Sequence, residues 1–338
     1  MSPEPSLSAP VVTLPVKTPV AADLEPYRKQ LTGYCYRMLG SASEAEDAVQ
    51  ETMIKAWRNL DRFEGRASLK SWLYRIATNV CLDMVQGPQR RARPMDLGPA
   101  SSADSNLGAP AGEATWLQPV PDGLVLSGEG DPAEVAAERE TIKLAFVATL
   151  QHLPSRQRAV LILREVLRWQ ATEVAELLGT TVASVNSALQ RARATLESID
   201  PEALSSRPIG ADHQALLDNF LAAFEAYDVS SIVTLLRDDV EFSMPPFQLW
   251  LERPEEVAKF LMGQGIECKG SKLLPVQANG QPAFACYHPA KDGDGYAPWC
   301  LQIFDIEGDK IVGWHNYLSL DHTLFPLFGL PERLPADA

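Results

Sequence analysis

Apolar positions recur at helical spacing from about residue 24 to residue 86. Ser43 and Glu46 stand as a capping box ahead of Ala45, Ala48, Val49, Thr52 and Ala56, which predicts a helix start there. Ser68 precedes a second stripe, Leu69, Trp72, Leu73, Ile76, Ala77 and Val80, that ends near Gly87 and Pro88. The pattern then lapses. Residues 94–130 are rich in Pro, Gly, Ala, Ser and Asp, a mixture expected to form a linker that does not order itself. Inside it, Trp116 to Pro119 and Leu124 to Leu126 make an apolar island, either a docking segment or a local collapse. Asp131 as N-cap with Pro132 behind it opens a second helical module that runs to residue 199. Beyond Pro208 come a helix marked by Leu216, Leu217, Phe220, Leu221 and Phe224, and another capped by Asp228 that takes in Ile232 and Leu236. β-rich runs follow at residues 240–244, 283–287, 299–305 and 311–318, the last two joined by a turn at Glu307-Gly308-Asp309. The fold class is therefore multidomain: two all-α modules, then an α+β domain with helices first and a curved antiparallel sheet after.

Bulk composition narrows the function. No apolar run approaches the roughly 18 residues of a membrane span, and residues 1–22 lack the cationic start and apolar block of a secretory signal. A flexible tail on a cytoplasmic protein, with no membrane role, is expected. Five scattered cysteines without a C-x-x-C pair fit reduced, buried thiols better than disulfides or zinc, so neither metal nor cofactor is expected. The net charge of −14 looks hostile to nucleic acid, but the charge is uneven. Residues 23–93 carry 12 basic and 9 acidic groups, and residues 137–199 carry 8 and 6. Residues 94–136 hold 7 acidic groups and no basic one, and residues 200–338 hold 21 acidic against 9 basic. Two mildly basic modules thus alternate with acidic segments.

Residues 172–182 read as the first helix and turn of a helix-turn-helix. Val174, Leu177 and Leu178 face inward, Gly179 supplies a left-handed stop, and Thr180 or Thr181 caps a second helix. That helix buries Val182, Val185, Leu189, Ala192 and Leu196. Its other side presents Ala183, Ser184, Ser187, Gln190, Arg191 and Ala194, with no acidic group among them. Short residues let such a helix approach base edges in a major groove, Gln190 can pair with adenine or a phosphate, and Arg191 and Arg193 can neutralise backbone. DNA reading is the expectation.

The segment Leu153-Pro154-Ser155-Arg156-Gln157-Arg158, this helix pair and the closing Leu189-Gln190-Arg191-Ala192-Arg193 resemble the fourth domain of bacterial sigma factors of the extracytoplasmic-function class. The first module agrees. Residues 47–57, from Asp47-Ala48-Val49-Gln50-Glu51-Thr52 to Ala56-Trp57, look like the helix by which that family's second domain grips core RNA polymerase. Phe63-Glu64-Gly65-Arg66 and residues 72–83, from Trp72-Leu73-Tyr74-Arg75 through Asn79 to Asp83, resemble its promoter-melting segment. The resemblance implies that residues 131–199 read the −35 element through Ala183, Ser184, Asn186, Ser187, Gln190, Arg191 and Arg193. It implies that residues 23–93 open the −10 element through Trp72, Arg75 and Asn79 and bind polymerase through Asp47, Gln50 and Glu51. Core polymerase and promoter DNA are the implied partners, with room for an anti-sigma factor or a small ligand. The aromatic faces of Trp72 and Tyr74 beside the Arg75 cation suit an unstacked base, although Trp72 also lies on the apolar stripe. This chain departs from the family in carrying Asn186 where a Lys is usual and Ala188 where an Arg is usual, which leaves fewer phosphate contacts.

The extension, residues 211–327, resembles a SnoaL-like, ketosteroid-isomerase-related cone, and the long linker with Thr115-Trp116-Leu117-Gln118-Pro119 points to the sigma subgroup that bears one. Trp250, Tyr287, His288, Tyr296, Trp299 and His315 are expected to line a pocket in it; their order makes no catalytic motif, and the chain is read as a non-enzyme. Its net −12 from residue 200 onward suggests a regulatory domain that packs near the helical modules or the linker. Two alternatives stay open: a ligand-responsive helix-turn-helix regulator with the cone as sensor, and a SnoaL-type isomerase or hydrolase with regulatory appendages.

Overall fold

The computed structural model describes residues 20–65, 67–85, 91–126, 131–199, 213–320 and 322–337. The tail through residue 19, Arg66, the stop near Gly87 and Pro88, and residues 127–130 and 200–212 lie outside the described residues.

Helix α1 (Arg28–Leu39) ends at Gly40, whose φ of 70° lies in the left-handed region that favours glycine. Helix α2 (Ala42–Arg58) begins at once, capped by Ser41, whose hydroxyl accepts from the Glu44 N–H at 3.2 Å. The cap thus sits two residues before the expected Ser43 and Glu46, because the glycine turn leaves Ser41 as the first extended residue. Helix α3 (Leu69–Met84) is capped by Ser68 as the pattern predicts. The three helices bury Leu31, Tyr34, Met38, Ala45, Val49, Ala56, Leu73, Ala77 and Val80 between them.

Residues 94–126, part of the stretch expected to stay unordered, are packed instead, together with Arg91 just before them. Arg91 is buried and bridges Glu44 of α2 at 2.6 Å while donating to the carbonyls of Glu113 and Trp116. Trp116, Leu117, Val120 and Val125 are buried, the last in a short helix, α4 (Asp122–Val125). Further upstream, Trp250 Nε1 donates to Gly98 O at 2.9 Å and Gln264 to the carbonyls of Ala103 and Ser105. The segment cannot fold by itself, but it orders against surfaces supplied by its neighbours. It is a strap, and its apolar island is a docking segment.

The second module comprises α5 (Pro132–Glu140), capped by Asp131 as expected, then α6 (Leu144–Gln151), α7 (Ser155–Leu161), α8 (Ala171–Leu177) and α9 (Val182–Ile199). A π turn, Ile162–Val166, extends α7. The two modules touch directly. Arg37 of α1 donates to Thr141 O at 3.0 Å, Thr141 Oγ1 at 2.9 Å and Glu138 O at 3.4 Å. Arg158 of α7 donates to Met38 O and, at 2.7 Å, to Gln151 Oε1. Both guanidinium groups are buried in this seam, and burial pushes them down to about 10. The rings of Tyr74 and Trp169 close the seam with centroids 5.1 Å apart, so Tyr74 is core and not available to a base.

In the C-terminal domain, α10 (Gln214–Glu225) and α11 (Val229–Leu235) precede β1 (Leu236–Ser243), β2 (Trp250–Glu252), α12 (Pro254–Met262), β3 (Lys272–Ala278), β4 (Gln281–Pro289), β5 (Tyr296–Glu307), β6 (Lys310–Leu318) and a final turn of helix, α13 (Leu324–Leu327). The strand order is β2-β1-β6-β5-β4-β3. The sheet is mixed and not wholly antiparallel: β6 returns beside β1 and runs parallel to it, with Phe242 opposite Trp314. One face, with Phe284, Cys286, Cys300, Phe304 and Trp314, closes a cone against Phe220 and Phe224 of α10. The other face, with Ala283, Ala285, Leu301, Ile303 and Tyr317, belongs to the same apolar core as the helical modules.

The turn between β3 and β4 joins all three parts. Asn279 and Gly280 have φ of 56° and 69°, the pair of left-handed residues that a two-residue hairpin of type I′ needs. Asn279 is wholly buried. Its Nδ2 donates to Tyr36 Oη of α1 at 2.8 Å and to Ile142 O at 2.9 Å, and its Oδ1 accepts from Val120 N of the strap at 3.0 Å. Gly280 N donates to Asp122 Oδ1 at 2.7 Å, and a Cβ on Gly280 would stand 2.9 Å from Arg139 O.

Candidate nucleic-acid interface

Helix α8 ends where Gly179 turns at φ 60°, and Thr181 caps α9 by accepting from Ser184 N at 3.1 Å. Val185, Leu189, Ala192 and Leu196 then point into the module. The opposite side carries Ala183, Ser184, Asn186, Ser187, Gln190, Arg191 and Arg193, all exposed. Arg193 is held by Glu165 at 2.6 Å, which offsets its charge, so Arg191 is the stronger cation toward a phosphate. Val182, expected on the buried stripe, is 38% exposed at the first residue of α9.

On α3, Arg75 and Asn79 are exposed one turn apart, with Trp72 half-buried on the same side. Trp72 packs against Phe63, ring centroids 5.2 Å apart, so one face is core and the rest can meet a base. On α2, Asp47, Gln50 and Glu51 share an exposed face opposite Ala45, Ala48 and Thr52, and Glu51 pairs with Lys55 at 3.2 Å. Trp57 was not singled out from the sequence, yet it is 64% exposed beside that face. The signal was available: its position opposes the buried small residues of α2, and a large exposed aromatic is a common anchor in protein interfaces.

The cone is different from the expected pocket. A cavity with room for about one water molecule lies between Phe224, Phe242, Phe260, Cys268, Cys300 and Trp299. Of the expected residues, Trp299 lines it, and His288 stacks on Trp299 with centroids 4.3 Å apart. Trp250 instead anchors the strap at the sheet edge. Tyr287 lies on the outer face, where its hydroxyl donates to Pro331 O at 2.9 Å, and Tyr296 pairs by its backbone with Leu334. His315 is also on the outer face, between Ser243 Oγ at 2.9 Å and Asp305 Oδ2 at 3.1 Å. The physical reason is the sheet's double burial: residues 283–287 are buried throughout, so the sequence does not mark which side faces the cone. The Ser243, His315 and Asp305 string has the chemistry of a hydrolytic triad, but Ser243 is 1% exposed, so no substrate reaches its hydroxyl.

Residues 24–91 match the model of sigma-70 region 2, residues 143–196 that of sigma-70 region 4, and residues 217–314 that of a SnoaL-like domain. The chain is 43% identical over 318 residues to the ECF RNA polymerase sigma factor SigG of Mycobacterium tuberculosis, covering 93% of this chain and 84% of that one. It belongs to the extracytoplasmic-function sigma factors. SigW of Bacillus subtilis is 30% identical over 174 residues, 50% of this chain and 82% of SigW. The crystal structure of the M. tuberculosis extracytoplasmic function sigma factor SigJ shares the fold, with a TM-score of 0.59 and 23% identity over 92% of this chain and 99% of that one. This sigma factor is therefore a transcription factor and not an enzyme, and it works with core RNA polymerase and promoter DNA. No helix among the described residues is long and apolar enough to cross a membrane.

Proposed function

We propose that this sigma factor, acting in the cytoplasm, reads the −35 element with the exposed face of α9 from Ala183 to Arg193. In the same reading, Arg75, Asn79 and the free face of Trp72 capture an unstacked base of the −10 element, and Asp47, Gln50 and Glu51, joined by Trp57, grip the polymerase. The single observation behind it is that Asp47, Gln50, Glu51, Arg75, Asn79 and the residues of α9 from Ala183 to Arg193 that do not pack into the module are turned to solvent, with Trp72 half-buried beside Arg75 and Asn79. Run-off transcription with purified core polymerase tests it. Asn79→Ala and Arg191→Ala are each expected to lower promoter-specific output about tenfold or more, the scale of one lost base or phosphate contact. Output equal to the unsubstituted protein would contradict the assignment.

The C-terminal domain acts as a brace in this reading. The two promoter elements stand about 25 base pairs apart, on the order of 85 Å along B-DNA. Modules sealed by Arg37, Arg158, Tyr74 and Trp169 cannot span that distance. Promoter engagement therefore requires them to part, and the Asn279 turn, which bonds to the first module, the strap and the second module at once, opposes the parting. The supporting feature is a mechanical tie, so like-charge repulsion of the promoter by the acidic domain is not needed.

A further inference from the structure

Among the described residues of the second module, Arg168 is the one non-glycine residue with a left-handed backbone, at φ 59°. A β-carbon makes that conformation costly, and a residue stays in it where the surrounding structure fixes it. Here both sides are fixed. After the π turn, Leu167 N donates to Ile162 O at 2.9 Å and Trp169 N to Leu163 O at 3.0 Å. Arg164 donates to Trp169 O, and the Trp169 ring packs on Tyr74. Arg168 itself is exposed, with no ion pair or hydrogen bond among the described residues. The acidic groups near it in sequence are engaged elsewhere: Glu165 pairs with Arg193 at 2.6 Å, and Glu173 accepts from Gln170 N at 2.7 Å at the start of α8. The Glu165 pair also sets this loop beside the exposed side of α9.

We infer that Arg168 is a phosphate anchor, which holds the DNA backbone beside the −35 element while α9 enters the major groove. The inference rests on the −35 reading proposed above for α9. In a helix-turn-helix the second helix lies in the groove and the first crosses the adjacent backbone, so the chain that leads into the first helix stands over phosphates. A guanidinium meets a phosphate with two parallel hydrogen bonds, and one carried on a clamped backbone loses less freedom on binding than one on a loose loop. The recognition helix leaves room for such a contact. Asn186 and Ala188 are uncharged and Arg193 is shared with Glu165, so Arg191 is the remaining free cation among the positions assigned to DNA on α9. Arg168 adds a second one. Its contact positions the duplex without reading a base, so it strengthens binding to every sequence alike. It stands outside both helices, where no helical period marks it.

The test uses holoenzyme assembled from core polymerase and the full-length chain, with binding to promoter DNA, and to the same DNA with a scrambled −35 element, measured across a series of salt concentrations. Arg168→Gly removes the cation and suits the left-handed backbone, so its melting temperature should be no lower than that of the unsubstituted protein. Its affinity is expected to fall several-fold on both DNAs, with the slope of log affinity against log salt reduced by about 1, and Arg168→Lys is expected to restore the slope. An unchanged slope in Arg168→Gly, whatever its affinity or stability, would overturn the inference. Arg191→Ala, measured alongside, separates this from the reading it rests on. A reduced slope in Arg191→Ala with none in Arg168→Gly removes the anchor alone, whereas no effect of either removes the placement of α9 on DNA as well.

Discussion

Asp305 shows how one carboxylate ties the sheet to the helical modules. It accepts from Gln281 Nε2 at 2.6 Å and lies 3.1 Å from His315 Nε2, and Gln281 Oε1 in turn accepts from Leu144 N of α6 at 3.4 Å. Burial raises its affinity for a proton, but the His315 hydrogen bond and the charges of His315, Arg93 and Lys143 outweigh this and hold it below the usual carboxylate range. A carboxylate with a depressed pKa in the folded state contributes stability that is complete above its unfolded pKa of about 4 and is lost as the pH falls through the folded value. Asp305→Asn is therefore expected to lower the melting temperature at pH 6 and to lose that deficit as the pH falls below about 4. Thermal unfolding of both proteins across that window is the check, and a constant difference at every pH would contradict the role given to its charge. At the same scale, Arg191→Ala should weaken promoter binding across sequences and reduce the dependence of log affinity on log salt by about 1, as loss of one phosphate contact requires.

Among the elements, the β3–β4 hairpin carries the largest share of the interdomain bonding. Asn279→Ala would strand Val120 N–H, Ile142 O and one bond of Tyr36 Oη in a dry seam, a loss on the order of 3 kcal/mol at about 1–3 kcal/mol per buried orphan. The expected results are a lower melting temperature and faster proteolysis within the strap, residues 98–126, and equal protease resistance would contradict the tie. Gly280→Ala should act in the same direction, since it meets both the left-handed φ of 69° and Arg139 O. The hairpin was readable in principle: Asn-Gly is the strongest short hairpin signal. It goes unread when Leu273 to Ala278 is judged by alternation alone, because Pro275 interrupts the run and the strand is buried unevenly. Helices α3 and α9 were legible because each buries one stripe and wets the other. The strap was not, because its order is borrowed: Trp116 and Val120 are buried by other parts of the chain, which local composition does not record. The solvent-facing residues of α9 follow from the same helical period that marks its core. The cone residues do not, because a sheet buried on both faces carries no period from which Tyr287 and His315 can be assigned to a side.

For the whole molecule, the two helical modules, the strap and one face of the sheet share a single apolar core. That continuity predicts one cooperative unfolding transition for the modules and the C-terminal domain together. The opening proposed for promoter engagement would expose Tyr74, Trp169 and the buried guanidinium groups of Arg37 and Arg158, a cost that polymerase and DNA contacts would have to offset. A recognition helix with Asn186 and Ala188 in place of cations, and with Arg193 held by Glu165, offers little phosphate attraction by itself. Stable promoter binding should thus depend on core polymerase, and mobility-shift assays with the isolated sigma factor should show weak binding that polymerase rescues. The most direct test of the account is the distance between dyes placed by unnatural amino acids at the exposed positions Asp61 and Glu197, measured by fluorescence energy transfer in the free protein and in the complex with core polymerase and promoter DNA. The account predicts a single short distance in the free protein and a shift by tens of Å, toward the roughly 85 Å separation of the promoter elements, in a complex that initiates transcription. Productive initiation with the short distance unchanged would contradict it.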